Sequence, residues 1–479
     1  MTTARDRRDL TMLRALLWII ALAFLSVGAR NFESSLSVDA PIYATVARQI
    51  ARTGEWFALD ARIPAFRPHF VEHPHLGFWL QAVVFKILPI ADWSARVLGH
   101  LFYIAFLWMF YGVITRRSGQ TTAAIAVLCL WSWYAFSNTF STFYLDPGVL
   151  FFGTAAIFLW WTAIDELVVS QAVLAGMCLG LAFLYKGLTA LGFCPAVAFL
   201  FFSSAQSWRK KIGIGLAAIS GLLVVLLPYF AAVRASAFPE FIEGYWSKQF
   251  THRFGVIWRW SRLFEWPYWR ELLHNTYYLP LLAPFALFRR SPGNQVWLPV
   301  VVGLSFVAMF APADLNGAQY TSMVMPWLAW LVGQTVARAL PVNPRRLAHA
   351  TGVFAIAAVF VIQYIPVRTH GRPPTPVMAA LAEAGKTGRA RRLFIEPRGG
   401  TESYLFPGAY AWYTDLPIFD VEKPGQIPKP QAGDVYLASG YWPDIAAKWK
   451  HQGWCLQDVP HDVPFYFPCN PEIPTFQSE

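Results

Sequence analysis

The sequence predicts an α-helical polytopic membrane protein with a small α/β domain at its C-terminal end. Three observations predict it. The chain of 479 residues is 56% hydrophobic and only 14% charged, where a soluble domain carries about 25% charged residues. About eleven apolar stretches fill residues 1–366, several of them approaching the roughly 20 residues that cross a bilayer. Between those stretches, acidic and catalytic-type residues collect on one side and paired basic residues on the other.

The expected spans are 12–30, 95–115, 121–139, 147–164, 171–186, 188–205, 212–233, 276–289, 295–312, 320–339 and 347–366. With the N-terminus inside, Arg5/Arg7/Arg8, Arg116/Arg117, Arg209/Lys210/Lys211, Arg289/Arg290 and Arg345/Arg346 all fall in the cytoplasm, as the positive-inside rule requires. This holds only if the apolar stretch 76–90 does not span. It is short and carries Gln81 and Lys86, which suits a re-entrant or interfacial helix. The spans then make one transmembrane domain, 1–366, with outer loops at 31–94 and 234–275. The N-terminal segment MTTARDRRDLTMLR resembles a signal-peptide n-region, but no small-residue cleavage site with a mature soluble domain follows, so the first apolar stretch is expected to stay as a helix.

The tail 367–479 is also expected outside. It opens with RTHGRPPTP, a linker signal. VMAALAEAGKTG then reads as a helix closed by glycine, and RRLFIEP and GDVYLAS read as strands. A net charge of +11 does not imply nucleic acid; in such a chain basic residues set orientation and meet anionic headgroups. The 22 Trp and 19 Tyr fit interfacial belts. Cys129, Cys178 and Cys194 read as packing residues. Cys455 and Cys469, in an outer tail, stand open between a disulfide and two free thiols.

The first outer loop runs NFESSLSVDAPIYATVARQIARTGEW. Asp39 precedes a helix expected to lie flat on the bilayer through Ala47, Ile50 and Ala51. It suits either an N-cap before Pro41 or a base that takes a proton from an incoming hydroxyl or amine. Glu72, His73 and His75 offer imidazole and carboxylate ligands of the kind zinc or manganese take, in a spacing that matches no zinc signature. Asp146, before Pro147, reads as a second acid on the same face or as a helix cap. Lys186, beside Gly187, reads as a phosphate-pairing cation or as a lysine reaching the interface. Lys248, His252, Arg253 and Arg259 stand among aromatics in the second outer loop, as an anionic amphiphile or plain headgroup anchoring would require.

Taken in order, these segments resemble the membrane glycosyltransferases of the GT-C fold that use polyprenyl-phosphate sugars, among them the aminoarabinose transferases of lipid A and the protein O-mannosyltransferases. The matching residues are Asp39-Ala40-Pro41-Ile42-Tyr43-Ala44, Thr53-Gly54-Glu55-Trp56, Glu72-His73-Pro74-His75, Phe78-Trp79-Leu80, Ser94-Ala95-Arg96, Leu145-Asp146-Pro147, Tyr185-Lys186-Gly187, Tyr277-Tyr278-Leu279-Pro280 and Tyr320. The resemblance covers roughly residues 12–340. It implies Asp39 as catalytic base, Asp146 as support for acceptor or base, and Glu72 as an active-site acid or metal ligand. Lys186, Arg253 and Tyr320 would face the donor phosphate.

Ala40 stands where the family has a second acid, and Gly317-Ala318 where it often has Lys-Leu. His73 replaces a phosphate-touching lysine, a role His73 or His252 would take over. A divalent metal (Zn, Mg or Mn) on Glu72 and His252 is the implied cofactor. The expected partners are a polyprenyl-phosphate sugar, a lipid, glycan or protein acceptor, and membrane lipids. The expected place is the inner membrane, with the tail in the periplasm. Two other functions are weighed against this one. A transporter or flippase of lipid-linked sugars would want ionisable residues at mid-membrane and often repeat symmetry, where the sequence places few charges inside the spans and has no internal repeat. A catalytically lapsed partner protein would fit Ala40 and His73 but not the retained Asp39, Glu72 and Asp146.

Overall fold

The computed structural model describes residues 18, 36, 39–63, 69–251, 258–287, 293–313, 318–339, 376–395, 405–420, 431–437, 454–457 and 465–468. In chain order the helices are α1 (Ala40–Thr53), α2 (Leu76–Ile87), α3 (Asp92–Ser118), α4 (Gln120–Ser132), α5 (Tyr134–Ser141), α6 (Asp146–Glu166), α7 (Val169–Lys186), α8 (Cys194–Ser203), α9 (Trp208–Ala235), α10 (Phe241–Trp246), α11 (Trp266–Asn275), α12 (Asn294–Phe310), α13 (Ala318–Thr321), α14 (Met325–Ala339), α15 (Pro376–Lys386) and α16 (Leu405–Thr414). The strands are β1 (Arg392–Ile395), β2 (Ile418–Asp420), β3 (Asp434–Leu437), β4 (Trp454–Gln457) and β5 (Phe465–Pro468). Two compact units divide the chain. One holds 1–33, 71–80 and 91–368; the other holds 34–70, 81–90 and 369–479.

Among the described residues of the first unit, five helical stretches are long and apolar enough to cross a membrane, or six if α4 and α5, bent by 71°, make one broken span. That is fewer than the eleven expected, for identifiable reasons. Residues 12–30, Trp18 apart, and 347–366 lie outside the described residues. The stretch expected at 276–289 is a 3-10 run, Leu279–Ala286, with Pro284 inside it. The stretch expected at 320–339 is broken into α13 and the 15-residue α14. The run Val169–Ser203 reverses through 3-10 turns at Gly187–Phe193. Ala175 and Val197 therefore line one apolar cavity, and its returning leg, α8, is only about 15 Å long at 1.5 Å per residue.

The reversals give the bundle two chemically distinct ends. At one end Arg117 pairs with Asp165 at 3.0 Å, and the Gln206 amide donates to the Asp165 carbonyl at 3.0 Å. Lys211 donates to the Phe201 carbonyl nearby. The basic clusters 116–117 and 209–211 therefore share an end. At the other end lie Asp146, Lys186 and Tyr229. α7 and α9 meet closely because Gly176 and Gly221 have no Cβ: one added at either would fall about 2 Å from a carbonyl of the facing helix. The outer face of α9, with Leu216, Val224 and Leu227 each 61% exposed, suits a lipid surround.

In the second unit, the sheet has order β2-β1-β3-β5-β4, parallel over its first three strands and antiparallel over the rest. α1 belongs here, which corrects the surface-lying helix expected from its apolar face. Ala40–Ile50 are all buried. The Arg48 guanidinium donates to the Trp412 and Ala411 carbonyls, each at 2.7 Å, where α16 ends. Buried Thr45, Arg48 and Gln49 show why: a lipid surface cannot satisfy such groups, and a helix C-terminus satisfies the arginine. Asp415, at φ 58, follows α16 and receives Arg48, Arg52 and Arg62. Burial lowers Arg48 to about 10, against the raising effect of Asp415. Cys455 stands opposite Phe467 in the sheet; Cys469 lies outside the described residues.

Candidate active site

Asp146 opens α6 and Lys186 closes α7. The two-residue link at 167–168 makes these helices antiparallel neighbours, so the first residue of one meets the last of the next. The Lys186 ammonium donates to both Asp146 carboxylate oxygens, at 2.6 and 2.5 Å. The side chains are 5% and 1% exposed. Asp146 is the first residue of its helix, just after the N-cap Leu145, and its carboxylate receives the lysine from the end of the next helix. The lysine's third neighbour is the Tyr320 ring, 5.2 Å away, a cation–π contact strengthened by burial.

Around this pair the backbone is held by tyrosines. Gly187 sits at φ 66, and a Cβ there would fall 1.8 Å from the Tyr245 hydroxyl. That hydroxyl accepts the Leu188 N–H at 2.8 Å. A Cβ on Gly77 would meet Leu145 at 2.5 Å and Tyr185 at 3.1 Å. The segment carrying Glu72, His73 and His75 thus leads directly against the residues that flank Asp146 and Lys186.

His75 is completely buried. Its Nδ1 shares a hydrogen bond of 2.8 Å with the Tyr229 hydroxyl, and its ring lies 4.4 Å from Phe241. It is a packed histidine whose Nδ1 is engaged by a tyrosine hydroxyl. Among the described residues no group of three His, Cys, Asp or Glu is placed to hold a metal. The described residues thus do not make up a metal site, and no step below runs through one.

The structure therefore brings Asp146, Lys186 and Tyr320 together and sets His73 (6% exposed) and half-buried Glu72 in the same unit. Asp39 lies in the other unit, at the N-cap position of α1, where its side chain makes no capping hydrogen bond. His252 and Arg253 lie outside the described residues. Sequence reasoning passed over Tyr229 and Tyr245, whose hydroxyls fix His75 and the turn at Lys186. It noted Arg96 only as part of a motif. That guanidinium is 2% exposed, on the turn of α3 farthest from Arg117. A charged side chain one turn into an apolar helix was the available signal.

Residues 72–230 match the family model described as dolichyl-phosphate-mannose-protein mannosyltransferase. The undecaprenyl phosphate-alpha-4-amino-4-deoxy-L-arabinose arabinosyl transferase of Pseudomonas aeruginosa is 24% identical over 358 residues, which is 69% of this chain and 61% of that protein. The chain thus spans about three fifths of the curated relative's length. The solved structure of ArnT from Cupriavidus metallidurans in the apo state superposes with a TM-score of 0.69 at 16% identity, over 97% of this chain and 98% of that one. The chain has the GT-C fold. The same ArnT bound to undecaprenyl phosphate gives a TM-score of 0.67 at 14% identity, with the same coverage of both chains. Within this GT-C fold the Asp146–Lys186 pair lies at the end of the bundle away from its basic clusters.

Proposed function

We propose that the chain is a membrane glycosyltransferase that moves a sugar from a polyprenyl-phosphate donor to a lipid, glycan or protein acceptor at the periplasmic face of the inner membrane. The carrying observation is a buried ammonium, oriented by Asp146 and Tyr320, at one end of a GT-C bundle. The sugar is already activated by its phosphate. The bond from its anomeric carbon to the phosphate oxygen breaks, and a bond to the acceptor's oxygen or nitrogen forms. The acceptor's proton passes to a carboxylate, which we assign to Asp39. The electron pair stays on the polyprenyl phosphate, whose growing charge Lys186, Arg253 and His73 offset. Asp146 holds Lys186 in place. The N-terminus and basic clusters face the cytoplasm in this reading, and the mixed α/β unit faces the periplasm.

The relatives' donor, undecaprenyl phosphate-alpha-4-amino-4-deoxy-L-arabinose, is the first to try. Purified protein would be given this and other radiolabelled polyprenyl-phosphate sugars with membrane extract, wild type beside Asp39→Asn. Transfer that collapses in the variant while donor binding persists supports the assignment. Donor bound by both proteins without transfer would favour a transporter or a lapsed partner instead.

A further inference from the structure

We propose that a polar cavity at the basic end of the helical unit is a binding site for a phosphate group, separate from the candidate active site. The cavity measures about 400 Å³ and lies where α3, α4, α12 and α14 converge. Arg117, Thr121, Thr122, Gln295 and Arg338 are among its walls, and none of its lining residues is acidic. Arg117 pairs with Asp165 at the far end of α6 from Asp146. The 21 residues of that helix separate the two places by about 30 Å.

Three independent features of the cavity suit a phosphate. The first is cationic: two guanidiniums, of which Arg117 stacks on Trp161 at 4.2 Å. Arg338 is aimed by donating to the Ala286 carbonyl at 3.1 Å and the Gln334 side-chain oxygen at 3.0 Å. A planar guanidinium with five donors matches phosphate oxygens well. The second is the start of α4. Gly119, at φ 92, precedes it and offers no side chain to cap it. The N–H groups of Gln120, Thr121 and Thr122 therefore lack partners within the helix. The third is Thr122. It is 4% exposed, lines the cavity, and its hydroxyl makes no hydrogen bond among the described residues. That hydroxyl is left to water or to a ligand in the cavity.

The geometry around Thr122 is tightly set. A Cβ on Gly333 would fall 2.6 Å from the Thr122 carbonyl, so α14 lies directly on the first turn of α4. Arg338 follows a little over one turn later on the same helix. The phosphate could belong to an anionic phospholipid headgroup or to a soluble phosphate; both offer the same oxygens.

The test uses full-length protein purified in a phosphate-free detergent. Native mass spectrometry counts bound phosphatidylglycerol after exchange, and equilibrium dialysis counts bound radiolabelled inorganic phosphate. Wild type is compared with Thr122→Val, Thr122→Ser, Arg338→Gln and, as a control for loose charge attraction at this end, Arg209→Gln. We expect one site per chain, weakened about tenfold in Thr122→Val and Arg338→Gln and kept in Thr122→Ser and Arg209→Gln. Loss of phosphatidylglycerol in the two variants identifies a headgroup site. Loss of inorganic phosphate alone identifies a soluble ligand. Binding of neither probe, or binding unchanged in both Thr122→Val and Arg338→Gln, overturns the proposal. No sugar transfer is read, so the result stands apart from the proposed enzyme activity.

Discussion

Lys186 and Asp146, 40 residues apart in sequence, form a bidentate ion pair that is almost wholly removed from solvent. A pair of this kind is weak evidence for stability, because desolvation offsets most of the attraction; removing one partner is a different matter. Asp146→Asn or Lys186→Met should each destabilise the helical unit by about 3 to 5 kcal/mol. The double variant should recover much of that loss, since no lone charge stays buried. All three should lose sugar transfer, because the oriented ammonium is gone or misplaced. Thermal unfolding in detergent beside a transfer assay separates the two effects. A double variant no more stable than either single would show that the pair is not coupled as described.

Gly187 allows a second test of how Lys186 is positioned. With φ at 66 and the Tyr245 hydroxyl 1.8 Å from any added Cβ, Gly187→Ala carries both backbone strain and a clash. A loss of about 2 kcal/mol or more is expected. Tyr245→Phe alone should cost about 1 kcal/mol, through the Leu188 N–H it no longer accepts. Because both changes act on one contact, the double variant should lose less than the two single losses added. Strict additivity in unfolding midpoints would place the cause elsewhere.

Much of this architecture was legible in the sequence because charges are costly inside a bilayer. Arg116/Arg117 and Arg209/Lys210/Lys211 were read to one side, and the structure gathers them around Asp165 and Phe201. The ion pair was not read, although its signal was there. Asp146 at the start of one helix and Lys186 at the end of the next must meet if the connection is short, yet each was weighed alone as cap or snorkel. The reading of α1 failed differently. An amphipathic face shows that something covers it, not whether that cover is lipid or protein. Buried Arg48 and Gln49 decide for protein. Tyr229 and Tyr245 left no trace because a tyrosine in an apolar stretch looks the same whether or not its hydroxyl organises a site.

Arg48 gives the mixed unit a pH signature. Its folded-state pKa is lowered to about 10, mainly by burial. Below about pH 10 the guanidinium is charged in both states, and the cost of burying it is fully present. From there up to the ordinary arginine range the unfolded chain holds the proton more tightly, so stability rises with pH in that window. The difference in stability between wild type and Arg48→Met should therefore shift in favour of wild type as pH rises through 10. A difference flat across that range would remove the burial argument. At neutral pH, Asp415→Asn should cost about 1 to 2 kcal/mol. Loss of a buried ion's partner is discounted here because the Asp415 side chain is 37% exposed.

Variants at His75 test whether the histidine-rich segment serves packing or metal. Its Nδ1 and the Tyr229 hydroxyl satisfy each other in a fully buried position. Tyr229→Phe should leave the imidazole unbonded on that side and cost about 1 to 3 kcal/mol. Replacing both residues together, as His75→Phe with Tyr229→Phe, removes donor and acceptor at once and should cost less than Tyr229→Phe alone. A histidine acting as a ligand would behave otherwise: its loss would lower the metal content of the purified protein, and no change at Tyr229 would restore it. We expect elemental analysis to give the same divalent metal content for wild type and His75→Phe. A metal lost with His75 would show that the imidazole serves an ion through its other nitrogen, with Tyr229 fixing the tautomer.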